Sequence, residues 1–159
     1  MKIRILAIGK LKDSYLKEAA ADYTKRLRKY ADIDIEEFAD LPTVENPSST
    51  VKEEIKSKEC AKMLLKIRPR DYVVLLDLGA KQLTSEALSK QMEKWFTLGG
   101  SEITFVIGGS LGLSEEMKKR GNAILTLSEL TFTHGFARVI LLEQLYRSFK
   151  ILHHEPYNK

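Results

Sequence analysis

Two short apolar runs constrain this chain more than any other feature. Tyr72-Val73-Val74-Leu75-Leu76 and Glu102-Ile103-Thr104-Phe105-Val106-Ile107 lack the alternation of a half-exposed strand. Runs of this kind belong to strands covered on both faces, and such strands sit in parallel sheets walled by helices. A helical pattern flanks each run. Lys12–Tyr30 places Leu16, Ala19, Ala20, Tyr23, Leu27 and Tyr30 on one helical face. Val51–Ile67 follows, with Val51, Ile55, Ala61, Leu64 and Leu65 expected inward, and Arg68-Pro69 ends it. Thr84 or Ser85 begins a third helix that stops at Gly99-Gly100, and Ser114 caps a short fourth. The last helix runs from His134 to Leu152 and is apolar nearly all round.

Three further strands complete the pattern. Lys2–Ile8 is β-branched, Asp32–Phe38 alternates polar and apolar residues, and Ala123–Leu127 is short. Strands alternating with helices predict an α/β fold with a mostly parallel sheet flanked by helices. Pro42–Ser49, with two prolines, an asparagine and two serines, reads as a loop. A boundary there leaves an N-terminal piece too small to stand alone, so residues 1–159 are expected to form a single domain.

Charge and cysteine content narrow the class. The 26 lysines and arginines exceed the 22 acidic residues, giving a net charge of +4, a mild pointer toward an anionic partner such as nucleic acid. Basic residues gather at Lys25–Lys29, Lys66–Arg70 and Lys118–Arg120. Most are expected to be solvated helix faces. The single cysteine, Cys60, permits no internal disulfide, and no Cys/His spacing fits a metal site. No apolar run reaches membrane-span length, and a cytoplasmic location is expected.

Ligands of parallel sheets bind beyond the carboxyl ends of strands. Three such ends combine apolar residues with small or polar ones: Leu76-Asp77-Leu78-Gly79, Ile107-Gly108-Gly109-Ser110-Leu111-Gly112, and Leu127-Ser128-Glu129-Leu130-Thr131-Phe132. The glycines allow close backbone approach. Their spacing matches neither the dinucleotide fingerprint nor the P-loop, and no lysine follows Gly112. Leu127, Leu130 and Phe132 would suit an adenine slot. Arg138 interrupts the apolar helix and calls for a carboxylate partner, with Glu143 or Glu129 in reach. The tail Glu155–Lys159 is expected to be loose, unless the aromatic behind Pro156 docks.

Phe105–Ser114, Leu127-Ser128, Thr131-Phe132 with His134, Arg138-Val139, Glu143–Arg147, Pro156-Tyr157 and, near the start, Tyr23–Leu27 together resemble the RlmH family. These are the ribosomal large-subunit pseudouridine-N3 methyltransferases of the SPOUT superfamily, and the likeness spans essentially the whole chain. The resemblance implies a C-terminal trefoil knot, a rare exception to unknotted topology. It implies a homodimer in which the partner completes each active site. It also implies that Leu76, Gly108, Leu127, Ser128, Glu129, Leu130, Thr131 and Phe132 hold S-adenosylmethionine, with no metal. The substrate would be N3 of a pseudouridine in 23S rRNA, within the ribosome.

Arg138 is expected to stabilise developing negative charge or hold phosphate, and His154 and Tyr157 to act as base and stacking group. The chain departs from the family pattern at Thr133, where proline is common, at Glu129-Leu130, and at Asn158, where histidine is frequent. Two other readings compete. A nicotinamide-dependent dehydrogenase needs its glycine motif after the first strand, where Ile8-Gly9-Lys10-Leu11 lacks it. A non-enzymatic RNA-binding module needs only the basic surface.

Overall fold

The computed structural model describes all residues, Met1–Lys159. Five strands form one sheet: β1 (Lys2–Ile8), β2 (Asp32–Phe38), β3 (Val73–Leu76), β4 (Glu102–Ile107) and β5 (Ala123–Leu125). Five helices connect and follow them: α1 (Ser14–Leu27), α2 (Ser49–Leu65), α3 (Ser85–Leu98), α4 (Glu115–Arg120) and α5 (His134–Leu152). The strand order is β2-β1-β4-β3-β5, and every pair is parallel. The α/β fold with a parallel sheet is therefore as expected.

The winding explains the layers. The steps β1 to β2 and β3 to β4 run one way along the sheet, and β2 to β3 and β4 to β5 run the other. With crossovers of one hand, helices of opposite steps must fall on opposite faces. Accordingly α3 and α5 pack with Ile3, Ile5, Val74 and Phe105 in the larger core, which also takes Ala20 and Leu27 of α1. On the other face α2 and α4 bury Cys60, Met63 and Met117 against Leu6, Ile8, Val73, Leu75 and Val106. The alternating β2 lies at one edge and three-residue β5 at the other, while the continuous apolar strands sit inside.

Helix α5 follows β5 and returns to lie between α1 and α3. Leu141, Leu142, Leu145 and Phe149 are buried there. The apolar girdle of α5 is thus covered largely within the chain. No helix is long and apolar enough to cross a membrane.

Helix α2 differs from expectation. It starts at Ser49 behind an N-cap serine, Ser48, whose hydroxyl accepts the Val51 N–H. Its buried residues are Glu59, Cys60 and Met63, and Leu64 packs beside them as expected; Ala61 is exposed, and Leu65 is 86% exposed. A carboxylate turned inward displaced the expected register, because Glu59 accepts the Leu41 N–H at 2.9 Å and holds the 40s loop. Strand β5 stops at Leu125 instead of Leu127. Thr126 leaves the ladder and turns its hydroxyl to the carbonyl of Asp77 at 2.7 Å.

Candidate active site

The carboxyl ends of β3, β4 and β5 meet at one cleft of about 310 Å³, small for a small-molecule site but within its usual span of roughly 300–1,000 Å³. Leu76, Asp77 and Leu78 form one wall, the loop Gly108–Leu113 a second, and Leu125, Leu127, Ser128, Leu130, Thr131 and Phe132 a third. The first turn of α5 closes the floor with His134 and Ala137. Seven of the eight residues expected to hold a cofactor come together here. The eighth, Glu129, is exposed and does not line the cleft.

Close packing requires the glycine loop. The Gly112 N–H donates to the Gly109 carbonyl at 3.0 Å, closing a tight turn. A Cβ on Gly108 would sit 3.0 Å from the Gly112 backbone, and one on Gly109 would sit 3.1 Å from Ile8 Cγ2 and 3.2 Å from Glu59 Oε1. Gly112 itself adopts φ +92°, a conformation that L side chains rarely take. The loop therefore presents bare backbone to the cleft on one side, while side chains pack against its other. Burial pushes the Glu59 carboxyl above its usual value; the Leu41 N–H opposes this, and nearby Asp40 adds to it.

Thr126 ties two walls together. Its hydroxyl donates to the Asp77 carbonyl and accepts the Ala80 N–H at 3.0 Å. Ser128 orders the third wall by accepting the Leu130 N–H at 3.0 Å. The sequence pointed to Ser128 only as a cofactor contact, and Thr126 was passed over. A β-branched hydroxyl at a strand end was the only signal. The cleft thus offers an apolar slot of leucines and Phe132, the backbone of the glycine loop, and Asp77. This mixture suits a nucleoside carrying a short polar extension. The absence of Cβ atoms at Gly108 and Gly109 lets the loop that walls the cleft pack closely on itself, Ile8 and Glu59.

The expected catalytic residues lie elsewhere in the protomer. Arg138, 3% exposed, is one turn beyond His134 but does not line the cleft. Its partner is neither Glu143 nor Glu129. Nη1 donates to Glu37 Oε2 at 2.7 Å, and Nη2 donates to the Gly9 carbonyl at 3.0 Å. Glu143 is taken instead by Arg147. His154 is exposed at the far end of α5 with φ +54°. Twenty residues at about 1.5 Å each put it roughly 30 Å from His134.

The tail is docked. The ring of Tyr157 meets Tyr146 edge-on at 5.0 Å, and its hydroxyl donates to Glu143 Oε1 at 3.1 Å. Burial, then contacts with Tyr23 and Glu143, push the Tyr157 phenol well above its usual value. Glu155 accepts from Lys29, Lys150 and Tyr30. Lys150 first, with Tyr30 and Lys29, holds that carboxyl down to about 2.

Two of the basic clusters are partly structural. Arg68 pairs with Asp71 and Glu102, and Arg120 donates to the carbonyls of Arg68 and Asp71.

The family model described as "Predicted SPOUT methyltransferase" matches residues 1–158. A protein of Desulforamulus reducens named "Ribosomal RNA large subunit methyltransferase H" is 45% identical over 159 residues, covering 100% of this chain and 99% of its own. One of Clostridium perfringens strain SM101, named "Ribosomal RNA large subunit methyltransferase H 1", is 46% identical over the full length of both. A like-named protein of Ruminiclostridium cellulolyticum is 45% identical, again over 100% of each. With the model matched almost end to end and relatives this similar over their whole length, the chain belongs to the SPOUT methyltransferase family.

Proposed function

We propose that this protein methylates large-subunit ribosomal RNA, at N3 of a pseudouridine in 23S rRNA, using S-adenosylmethionine. The cleft at the ends of β3, β4 and β5 carries the reading. Leu76, Leu127, Leu130 and Phe132 would enclose the adenosine, the backbone around Gly108 would meet its polar edge, and Ser128, Glu129 and Thr131 would shape the loop around it. Bound there, the cofactor supplies an electrophilic methyl group. The relatives' names support the substrate class.

The chain's residues must position the nucleotide and manage one proton. N3 carries a hydrogen that must leave as nitrogen takes the methyl. Holding nucleophile and methyl in line can contribute up to roughly 7–11 kcal/mol in favourable systems. Arg138 lies behind the cleft on the first turns of α5, so its role is to set the start of that helix and bias the local field. His154 lies too far along α5 to serve the cleft of its own protomer, and Tyr157, docked on Tyr146 and Glu143, does not line it. We therefore assign them to the cleft of a second copy, in a homodimer whose sites are completed by the partner's tail. A phenol held protonated, as Tyr157 is, acts as a donor or stacking surface and leaves proton removal to His154. One domain covers residues 1–159, its C-terminal half knotted, and it works in the cytoplasm where ribosomes are.

Two measurements test this reading. Calorimetry with S-adenosylmethionine should show one site per chain; binding of a nicotinamide nucleotide in its place would support the dehydrogenase, and no binding a plain RNA-binding module. Mass spectrometry of 23S rRNA from cells with and without the protein should differ by one methyl group on a pseudouridine.

A further inference from the structure

A second hollow, about 260 Å³, lies beside the cleft between the β1–α1 loop and the start of α5. His134 belongs to both, its ring against Gly9, where an added Cβ would sit 2.7 Å from it. Its Nδ1 is buried and has no hydrogen-bond partner.

Three independent features converge on this hollow. Tyr15 and Phe136 stand on its rim, 56% and 46% exposed, with ring centroids 6.2 Å apart. Exposed aromatic side chains at a rim are stacking platforms for unpaired bases. Lys10 and Lys12 line it as well. Finally, α1 and α5 both begin here, and neither N-cap side chain, Asp13 or Thr133, accepts a hydrogen bond from its helix. The caps of α2, α3 and α4 all do. Free helix N-terminal amides favour anions. Asp13 and Asp40 also line the hollow and offset the two lysines. An anion there would rely on the free N–H groups and nearby ammonium groups, with little help from net charge.

We propose that this hollow is the nucleotide subsite: a single-stranded RNA seats one base against Tyr15 and Phe136 and its phosphate between Lys10, Lys12 and the two helix starts. The base edge then lies next to His134, the wall shared with the cleft. This rests on the RNA methyltransferase reading and supplies the substrate-binding half that the cleft lacks.

The test is a titration of the full-length isotope-labelled protein with a five-nucleotide uridine-centred RNA, followed by amide NMR. Shifts should concentrate at Lys10–Leu16 and His134–Phe136. Tyr15→Ala and Lys12→Ala should each weaken RNA binding fivefold or more, while S-adenosylmethionine affinity stays within twofold. Lys12→Ala should also flatten the salt dependence by about 0.7 in log–log slope. Shifts confined elsewhere, unchanged RNA affinity in both variants, lost cofactor binding in either, or equal shifts from inorganic phosphate or an acidic peptide would overturn the subsite. Failure of wild-type protein to bind S-adenosylmethionine would instead sink the methyltransferase reading, and the RNA titration reads independently of it.

Discussion

Arg138 and Glu37 are joined across 101 residues of sequence, Nη1 to Oε2 at 2.7 Å, which fastens the start of α5 to the end of β2. The two partners are not equally exposed: the Arg138 side chain is 3% accessible and that of Glu37 33%. Losing either partner therefore has different consequences. Glu37→Ala strands a buried guanidinium and should cost about 3 kcal/mol, the low end for a broken buried pair. Arg138→Met leaves a carboxylate that can turn to water and one unpaired carbonyl, costing about 1–2 kcal/mol. Urea unfolding of both variants checks the order. Burial opposes ionisation of Glu37, but Arg138 and the Leu11 N–H outweigh it and hold its pKa below 4.5. This contribution is present above pH 4.5 and is lost as pH falls through the lower folded value.

Glu59 should behave oppositely. Its folded pKa lies above 4.5, so its ionisation at neutral pH costs stability. Below pH 4.5 the acid is protonated in both states and that cost vanishes. Glu59→Gln keeps an acceptor for the Leu41 N–H and sheds the charge. We expect its Tm to rise by roughly 2–4 °C at pH 7, the size of about 1 kcal/mol in a domain of this length. At pH 4 it should match wild type. A lower Tm at pH 7 would show that the carboxylate is needed ionised.

The glycine loop separates space from conformation. Gly108→Ala brings a Cβ to 3.0 Å from the Gly112 backbone and must open the turn. S-adenosylmethionine affinity should fall tenfold or more by calorimetry. Gly112→Ala has open space, with nothing within 4 Å, and pays only for its positive φ. It should lose about 1–2 kcal/mol of stability and less than fivefold in affinity.

Thr126→Val keeps the shape of the side chain and removes the hydroxyl that joins Asp77 to Ala80. A part-buried carbonyl and N–H lose their partner, at about 1 kcal/mol. Amide exchange should quicken at Ala80 more than in β4.

Tail function in a second copy predicts complementation. Gly108→Ala and Tyr157→Ala should each be nearly inactive. Mixed and allowed to exchange subunits, they should recover roughly a quarter of wild-type turnover, because half the dimers carry one intact site of two. No recovery would confine Tyr157 to its own protomer.

Much of this molecule was readable in its sequence because local chemistry decided it. The bounds of β2, β4 and α5 follow from period, cap and breaker residues, and the three cleft walls follow from small and polar residues at strand ends. What escaped depended on contacts far away in sequence. Glu37 could not be named as the partner of Arg138, because nothing local relates β2 to α5. The inward face of α2 was misjudged because Glu59, a residue type that ordinarily marks solvent, is held inside by a backbone N–H of the preceding loop. Whether Tyr157 would dock stayed open because a five-residue tail does not reveal the tyrosines it will meet.

The strand order carries a consequence for how the chain is made. β1 pairs with β2 early, but its other neighbour is β4, which begins at Glu102. At roughly 5–20 residues per second, an elongating chain leaves one edge of β1 bare for many seconds. Pairings so distant in sequence also slow folding in a finished chain. The cleft closes last of all, since its floor is the first turn of α5. A newly made molecule that retains S-adenosylmethionine has therefore already completed its sheet, so that ligand retention doubles as a read-out of proper assembly, and the ligand in turn shields the finished form from unravelling.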